Sequence, residues 1–271
     1  WGIPIPWDGS QTVYVWVDAL INYYTYGNAE GVWPADIHLI GKDILWFHAV
    51  IWPAMLLASG EETPKRIFAH GFFTIDGQKM SKTIGNVITP ASLIERFGVD
   101  ATRYLVLSAF PFGTDGDFNW ERMTEKYNAD LANGIGNLHA RLAKLAEQHE
   151  GIVLGIEDGL KEAYGALANE YESAMKALDF FGATQIIQKF VGLADRLVNE
   201  RKPWTLQGDA QKEALATPLS VLAGIAYSIR PFMPSASRAI FNSLGLKGDL
   251  REWGVAAFRV KKGEGLFPRL S

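Results

Sequence analysis

Tyr127, Leu131, Ile135, Leu138, Leu142 and Leu145 recur three or four residues apart. That spacing draws one apolar stripe along an α-helix. The same period returns at Leu167, Tyr171, Ala174 and Leu178, then at Ile186, Phe190, Leu193 and Leu197, and finally from Leu219 to Ile229, before Pro231. Helices with one apolar face must bury it against one another, so this part of the chain predicts an all-α bundle. The helical pattern begins near Thr89, where Pro90 opens a short helix that ends near Gly98.

Before Thr89 the pattern is different. "TVYVWV" (Thr12 to Val17), "IHLIG" (Ile37 to Gly41) and "RIFAHGF" (Arg66 to Phe72) are short apolar runs of strand character. Between the last two lies "KDILWFHAVIWPAMLLAS", long enough for a helix, with Asp43 near its start and Pro53 expected to kink it. Strand, helix, strand predicts a parallel βαβ unit. "FTIDGQK" reads as a hairpin turning at Asp76-Gly77, and "GTDGDFNW" (Gly113 to Trp120) as a turn-rich connector. The expected fold class is therefore α/β followed by all-α, with the junction between about 90 and 122.

With 271 residues the chain has room for two domains. It has no cysteine, which excludes a disulfide scaffold or a thiolate metal site within it and is compatible with a reducing compartment. The net charge of −4 would repel a polyanion, so any RNA contact must come from local basic residues. No run reaches membrane-span length and no signal peptide is visible, so no membrane partner is expected. The first residues, "WGIPIPW", are too apolar for an ordinary amino terminus, and the chain is expected to begin inside a larger protein.

"DGQKMSKTIGN" (Asp76 to Asn86) holds Lys79 and Lys82 on a glycine-flanked loop after a strand. Mobile point charges in such a loop suit a polyphosphate, although two lysines three positions apart taken alone more often mark a solvated surface loop. The wider context favours the first reading. "KMSKT" followed by "GN" resembles the lysine signature of class I aminoacyl-tRNA synthetases, with Thr83 where the signature usually ends in Ser. "WGIPIP", "YVWVDALINYY", "GKDILWFHAVIWPAML", "FGVDATRYLVLSAFPFGTDGDFNWERM" and the closing "LFPRL" together resemble the methionyl-tRNA synthetase family across essentially the whole chain.

The resemblance implies the second half of a Rossmann-like, parallel-sheet catalytic domain at 1–90, a stem-contact connector at 91–122 and an α-helical anticodon-binding bundle at 123–271. It implies ATP with Mg2+, methionine and tRNA(Met) as ligands, a cytoplasmic or organellar-matrix location, and no zinc site in this chain. Methionine is expected against Trp16, Ala19, Leu20, Tyr23, Ile44, His48 and Trp52. Aromatic walls suit a thioether, and Ile44, His48 and Trp52 are spaced to share one helix face; by spacing alone the stripe reads more readily as plain core, and the resemblance favours the pocket. The family often has Pro where this chain has Leu20 and Gly where it has Asn22.

Lys42 and Asp43, at a strand end, together with Lys79, Met80, Ser81 and Lys82, are expected to hold ATP. Lys79 and Lys82 would be catalytic, neutralising charge on the departing pyrophosphate. Lys42 and Asp43 could also be no more than a helix start. Asn137, Arg141 and Trp204 are expected to read the anticodon, two by paired hydrogen bonds and one by stacking; the alternative is a surface polar pair beside a half-buried Trp. The family's His-x-Gly-His signature is absent, because none of the five histidines has that spacing. The chain is thus expected to be the carboxyl-terminal part of an enzyme core, to need the amino-terminal half as partner and to be inactive alone. A synthetase for isoleucine, valine or leucine, or a noncatalytic tRNA-binding protein, would share some of these features.

Overall fold

The computed structural model describes residues 2–75, 77–80, 87–246, 257–258, 260 and 265–271. They form two compact units: residues 1–72 with 113–115, and residues 73–112 with 116–271. This structural division differs from the functional partition expected from the sequence at 1–90, 91–122 and 123–271.

The first unit opens with an antiparallel pair, β1 (Pro4–Ile5) and β2 (Asp8–Thr12). Helix α1 (Val15–Ala29) follows. The expected strand at Thr12 to Val17 is thus only its first residue. Val15 and Val17 instead begin a helix, because burial of Leu20 outweighs their β preference. Strand β3 (His38–Gly41) pairs in parallel with β4 (Ile67–His70), as the βαβ reading required. Between them run a 3-10 turn (Lys42–Ile44), a π-turn (Phe47–Ile51) and helix α2 (Trp52–Ala58).

Pro53 does not interrupt that helix where expected. It lies in the first turn of α2, and the accommodation is made upstream, where the Trp52 N–H reaches back five residues to the Phe47 carbonyl. Proline cannot donate to the carbonyl four residues before it, and the wider turn relieves that conflict.

The second unit begins with a three-stranded sheet. β5 (Phe73–Ile75) and β6 (Gln78–Lys79) form the expected hairpin, with Gly77 in the left-handed region at φ +73°. After helices α3 (Pro90–Phe97) and α4 (Val99–Ser108), β7 (Gly116–Asp117) returns to pair in parallel with β5. The supposed connector therefore contains a strand that two residues are too few to announce.

Helix α5 (Trp120–Lys126) passes through a π-helical stretch (Tyr127–Gly136) into α6 (Asn137–Ala146). The predicted stripe is there: Leu131, Ile135, Leu138 and Leu142 are fully buried. Gly134 and Gly136 keep Cβ atoms away from the Ala129 and Leu131 carbonyls, which lets the turns widen. A short strand β8 (Ile152–Val153) precedes α7 (Asp158–Ala177), α8 (Phe180–Arg201), α9 (Gly208–Ile229) and α10 (Pro234–Ser243), and pairs with β9 (Ala257–Phe258). α8 packs between α7 and α9, and α10 packs on α9. Pro218 inside α9 leaves the Ala214 carbonyl without its helical donor. The Arg201 guanidinium reaches that oxygen at 3.5 Å while pairing with Glu157 at 2.6 Å.

Candidate functional site

The first unit gathers its aromatic residues around α1, the π-turn and α2. Widening of the helix at Phe47–Ile51 sets His48 inside, completely buried. His48 Nδ1 lies 3.0 Å from the Ile44 carbonyl, and its Nε2 lies 3.1 Å from the Tyr23 hydroxyl. A carbonyl only accepts, so Nδ1 carries the proton. In the neutral ring Nε2 must then accept from Tyr23. Trp16 meets the edge of His48 at 5.9 Å and stacks on Phe47 at 4.6 Å; Tyr23 lies 6.4 Å from Trp52. Trp16, Tyr23, His48 and Trp52 are thus brought together. Leu20 is fully buried in the small core with Trp52 and Leu56; Ala19 and Ile44 are half-buried, and Ile44 contributes the carbonyl that orients His48.

Sequence reasoning missed two members of this cluster. Phe47 is the stacking partner of Trp16, and adjacency to His48 was its only signal. His38, at the start of β3, meets the Tyr23 ring edge-on at 4.5 Å. Burial, reinforced by the neighbouring His48, pulls the His38 imidazole below its ordinary value near 6.5. His38, Tyr23 and Trp33 also line a cavity of about 240 Å³.

At the carboxyl end of β3, Lys42 and Asp43 occupy the 3-10 turn rather than the first turn of an α-helix. Lys42 Nζ pairs with Asp115 Oδ2 at 2.5 Å, and the Phe72 N–H donates to Asp115 Oδ1 at 2.8 Å. The hydrogen bond from Lys42 holds the Asp115 carboxyl below the usual carboxylate range. Gly71 permits the close approach of this segment: a Cβ there would lie 2.0 Å from the Thr114 carbonyl oxygen.

In the second unit, Asp117 pins the β5–β6 hairpin. Its Oδ1 accepts from Thr74 Oγ1 at 2.9 Å and from the Gly77 N–H at 2.8 Å. Met80 is partly buried against the main core. Ser81 and Lys82 lie outside the described residues, and of Lys79 the backbone alone is described, as the end of β6. Among the described residues no group of three or more His, Asp or Glu could hold a metal ion, so no protein cage for Mg2+ is assigned there. No helix among them is long and apolar enough to cross a membrane.

On the bundle, the Arg141 guanidinium lies 4.9 Å from the Trp204 ring centroid and donates to Asn199 Oδ1 at 2.9 Å. Trp204 stands 48% exposed on a 3-10 turn after Lys202, whose φ of +47° reverses the chain at the end of α8. Asn137 is exposed one turn before Arg141 on α6. The structure therefore joins Arg141 to Trp204 directly, while Asn137 shares a helix with Arg141. Asp195, one turn before Asn199, feels Arg141 too, but burial dominates and raises its carboxyl above the ordinary value.

The family model described as tRNA synthetases class I (M) matches residues 1–143, which include the aromatic cluster, the strand-end lysine and the lysine loop. The chain belongs to this family. It is 41% identical over 297 residues to the methionine–tRNA ligase of Caldanaerobacter subterraneus subsp. tengcongensis, an alignment that covers all of this chain and 47% of that relative. With the methionine–tRNA ligase of Streptomyces coelicolor the identity is 38% over 308 residues, covering 57% of the relative. The Mycobacterium tuberculosis methionyl-tRNA synthetase in complex with methionyl-adenylate superposes with a TM-score of 0.85 at 34% identity, over 99% of this chain and 58% of that one. The chain thus spans about half the length of the synthetases it matches.

Proposed function

We propose that this chain is the carboxyl-terminal part of the core of a methionine–tRNA ligase, which activates methionine with ATP and transfers it to tRNA(Met). The observation that carries the reading is the Tyr23–His48 hydrogen bond inside the cluster of Trp16, Phe47 and Trp52. These apolar, polarizable walls suit a thioether side chain and leave little for a charged or strongly polar one. Residues 1–90 serve as the second half of the Rossmann-like catalytic domain, 91–122 as the stem-contact segment and 123–271 as the anticodon bundle.

In the reaction the methionine carboxylate attacks the ATP α-phosphate and pyrophosphate departs. The amino acid then passes to the 3′ end of the tRNA. This chemistry consists mainly of positioning and charge stabilisation. Lys79 and Lys82 neutralise the leaving pyrophosphate, with Lys82 carrying the larger share, while Met80 and Ser81 join them in binding ATP. Lys42 and Asp43 line the nucleotide at a strand end, where open α/β sheets gather their ligands. Mg2+ arrives on the ATP phosphates, its usual mode of binding. Arg141 and Asn137 hydrogen-bond the anticodon bases and Trp204 stacks on one of them.

The amino-terminal half of the enzyme is the partner of the first unit. The open pair β3–β4, with Leu39 exposed, supports this, because parallel strands are ordinarily covered on both faces. The cytoplasm or an organellar matrix is the proposed location.

The test is ATP–pyrophosphate exchange by the full-length enzyme with a panel of amino acids. Exchange with methionine is expected, with isoleucine, valine and leucine far behind. Equal exchange with any of those three would overturn the methionine reading. The isolated chain is expected to give no exchange.

A further inference from the structure

Behind the Pro203–Trp204 peptide lies a polar network, centred on the buried Gln211 and His149 and completed by the exposed Gln148, that the proposed chemistry does not use. Gln211, near the start of α9, is almost completely buried. Its Nε2 donates to the Pro203 carbonyl at 2.8 Å. Its Oε1 meets Gln148 Nε2 at 2.9 Å and His149 Nε2 at 2.6 Å, both from the turn that follows α6. The directions follow from the chemistry. The Pro203 oxygen only accepts, so the Gln211 amide nitrogen faces it. The Gln211 oxygen then accepts twice, and His149 carries its proton on Nε2.

We infer that Gln211 is a positioning residue for Trp204. The Lys202–Trp204 reversal contains a left-handed residue and a proline, and Pro203 cannot donate a backbone hydrogen bond. The carbonyl between Pro203 and Trp204 is the handle that Gln211 grips. Fixing that peptide plane fixes where the Trp204 Cα leaves the bundle, and hence how its exposed ring meets Arg141 and an RNA base. The grip is itself directed by two donors from a second segment, so the amide has one orientation that satisfies all three partners. A buried amide whose oxygen and nitrogen are both hydrogen-bonded is held rigidly in this way. The inference rests on the tRNA-contacting role proposed for Trp204 and adds the element that holds it.

The test uses the full-length enzyme. Gln211→Met keeps length and removes every hydrogen bond. Gln211→Leu removes the same hydrogen bonds with a compact side chain that leaves no polar atom facing Pro203, and it serves if the first variant does not fold. Either is expected to raise KM for tRNA roughly fivefold or more, the lower end of the cost of a lost aromatic–base stack. Turnover and tRNA-independent pyrophosphate exchange should be unchanged. Combined with Trp204→Ala, either should add nothing to the effect of Trp204→Ala alone, because both act through one ring. An unchanged KM in a folded Gln211 variant, or effects that multiply in the double variant, would overturn the inference while leaving the Trp204 role intact. A Trp204→Ala enzyme with normal tRNA affinity would overturn both.

Discussion

The two compact units bury their apolar residues very differently. In the second, one continuous core runs from Leu93 through α6, α8 and α9 to Leu244, with side chains such as Leu131, Ile187 and Leu222 wholly out of water. In the first, the core cluster consists of Leu20, Trp52 and Leu56, fringed by partly buried aromatics. Trp7 and Trp46 meanwhile stand 86% and 64% exposed. The bundle is a structure whose stability is its own, because each helix stripe finds another stripe. The first unit sets Trp16 edge-on and Tyr23 tilted against His48 above a small core, and its exposed apolar surface belongs to a chain that spans about half the length of its relatives. Both units bury polar side chains, His38 and His48 in the first and His139, His149 and Gln211 in the second, so the contrast lies in the apolar surface that the first unit leaves exposed.

The largest expected effect tests the core contrast directly. In the isolated chain, Leu222→Ala should cost about 2–5 kcal/mol of stability, the usual range for a leucine deleted from a packed core. Trp46→Ala removes a larger side chain but should stay within about 0.5 kcal/mol, as exposed substitutions do. Urea titrations followed by helical circular dichroism would show it; comparable losses would break the comparison.

Next comes the chemistry. In the full-length enzyme, Lys82→Ala should slow adenylate formation by about 100- to 1000-fold, the typical cost of removing one transition-state charge stabiliser. Methionine binding should be nearly unaffected. Single-turnover rates within threefold of wild type would remove Lys82 from that role. Trp204→Ala should do the reverse: KM for tRNA should rise about 5- to 150-fold, from a stacking worth roughly 1–3 kcal/mol per base, while pyrophosphate exchange without tRNA stays normal. A parallel decline in both assays would mark Trp204 as core instead.

Protonation offers a gentler probe. Burial lowers the pKa of His139 in the bundle below its ordinary 6.5, and His139 Nε2 pairs with Ser243 Oγ at 2.7 Å. A histidine depressed in the folded state binds its proton more readily when unfolded. Its contribution is therefore complete above pH 6.5 and is lost as pH falls from 6.5 toward the lower folded value. Melting temperatures at pH 7.5 and 5.0 should fall less on acidification for His139→Gln than for wild type. Equal slopes would show that this imidazole is not a source of the acid sensitivity.

The smallest effect belongs to the first unit. Tyr23→Phe deletes one hydrogen bond, worth about 0.5–1.5 kcal/mol net. KM for methionine should rise about 2- to 12-fold with KM for ATP constant. A change in ATP binding of the same size would point to rearrangement of the whole cluster.

Period and punctuation were enough to read much of this molecule in advance. The stripe from Tyr127 to Leu142 faces the core as spaced, Pro90 starts its helix, Gly77 turns its hairpin, and β3 and β4 pair in parallel. These features depend on neighbours a few residues away, or on a repeat long enough to survive local noise. The family membership was legible too, because several separated motifs had to agree at once. Other features arise between segments far apart in the chain and carry no local signature. β7 is two residues long and exists because β5 offers it an edge. The π-turn that buries His48 answers a proline downstream, and the tautomer of His48 depends on the Ile44 carbonyl. Asp115 and Asp117 look like ordinary turn residues until folding sets one against Lys42 and the other against the Gly77 hairpin. Sequence determined which residue types the protein could bring to a site; tertiary structure decided which of them meet, because a hydrogen bond spanning 63 or 73 residues, as at Gln211 and Lys42, is made only once the chain between has folded.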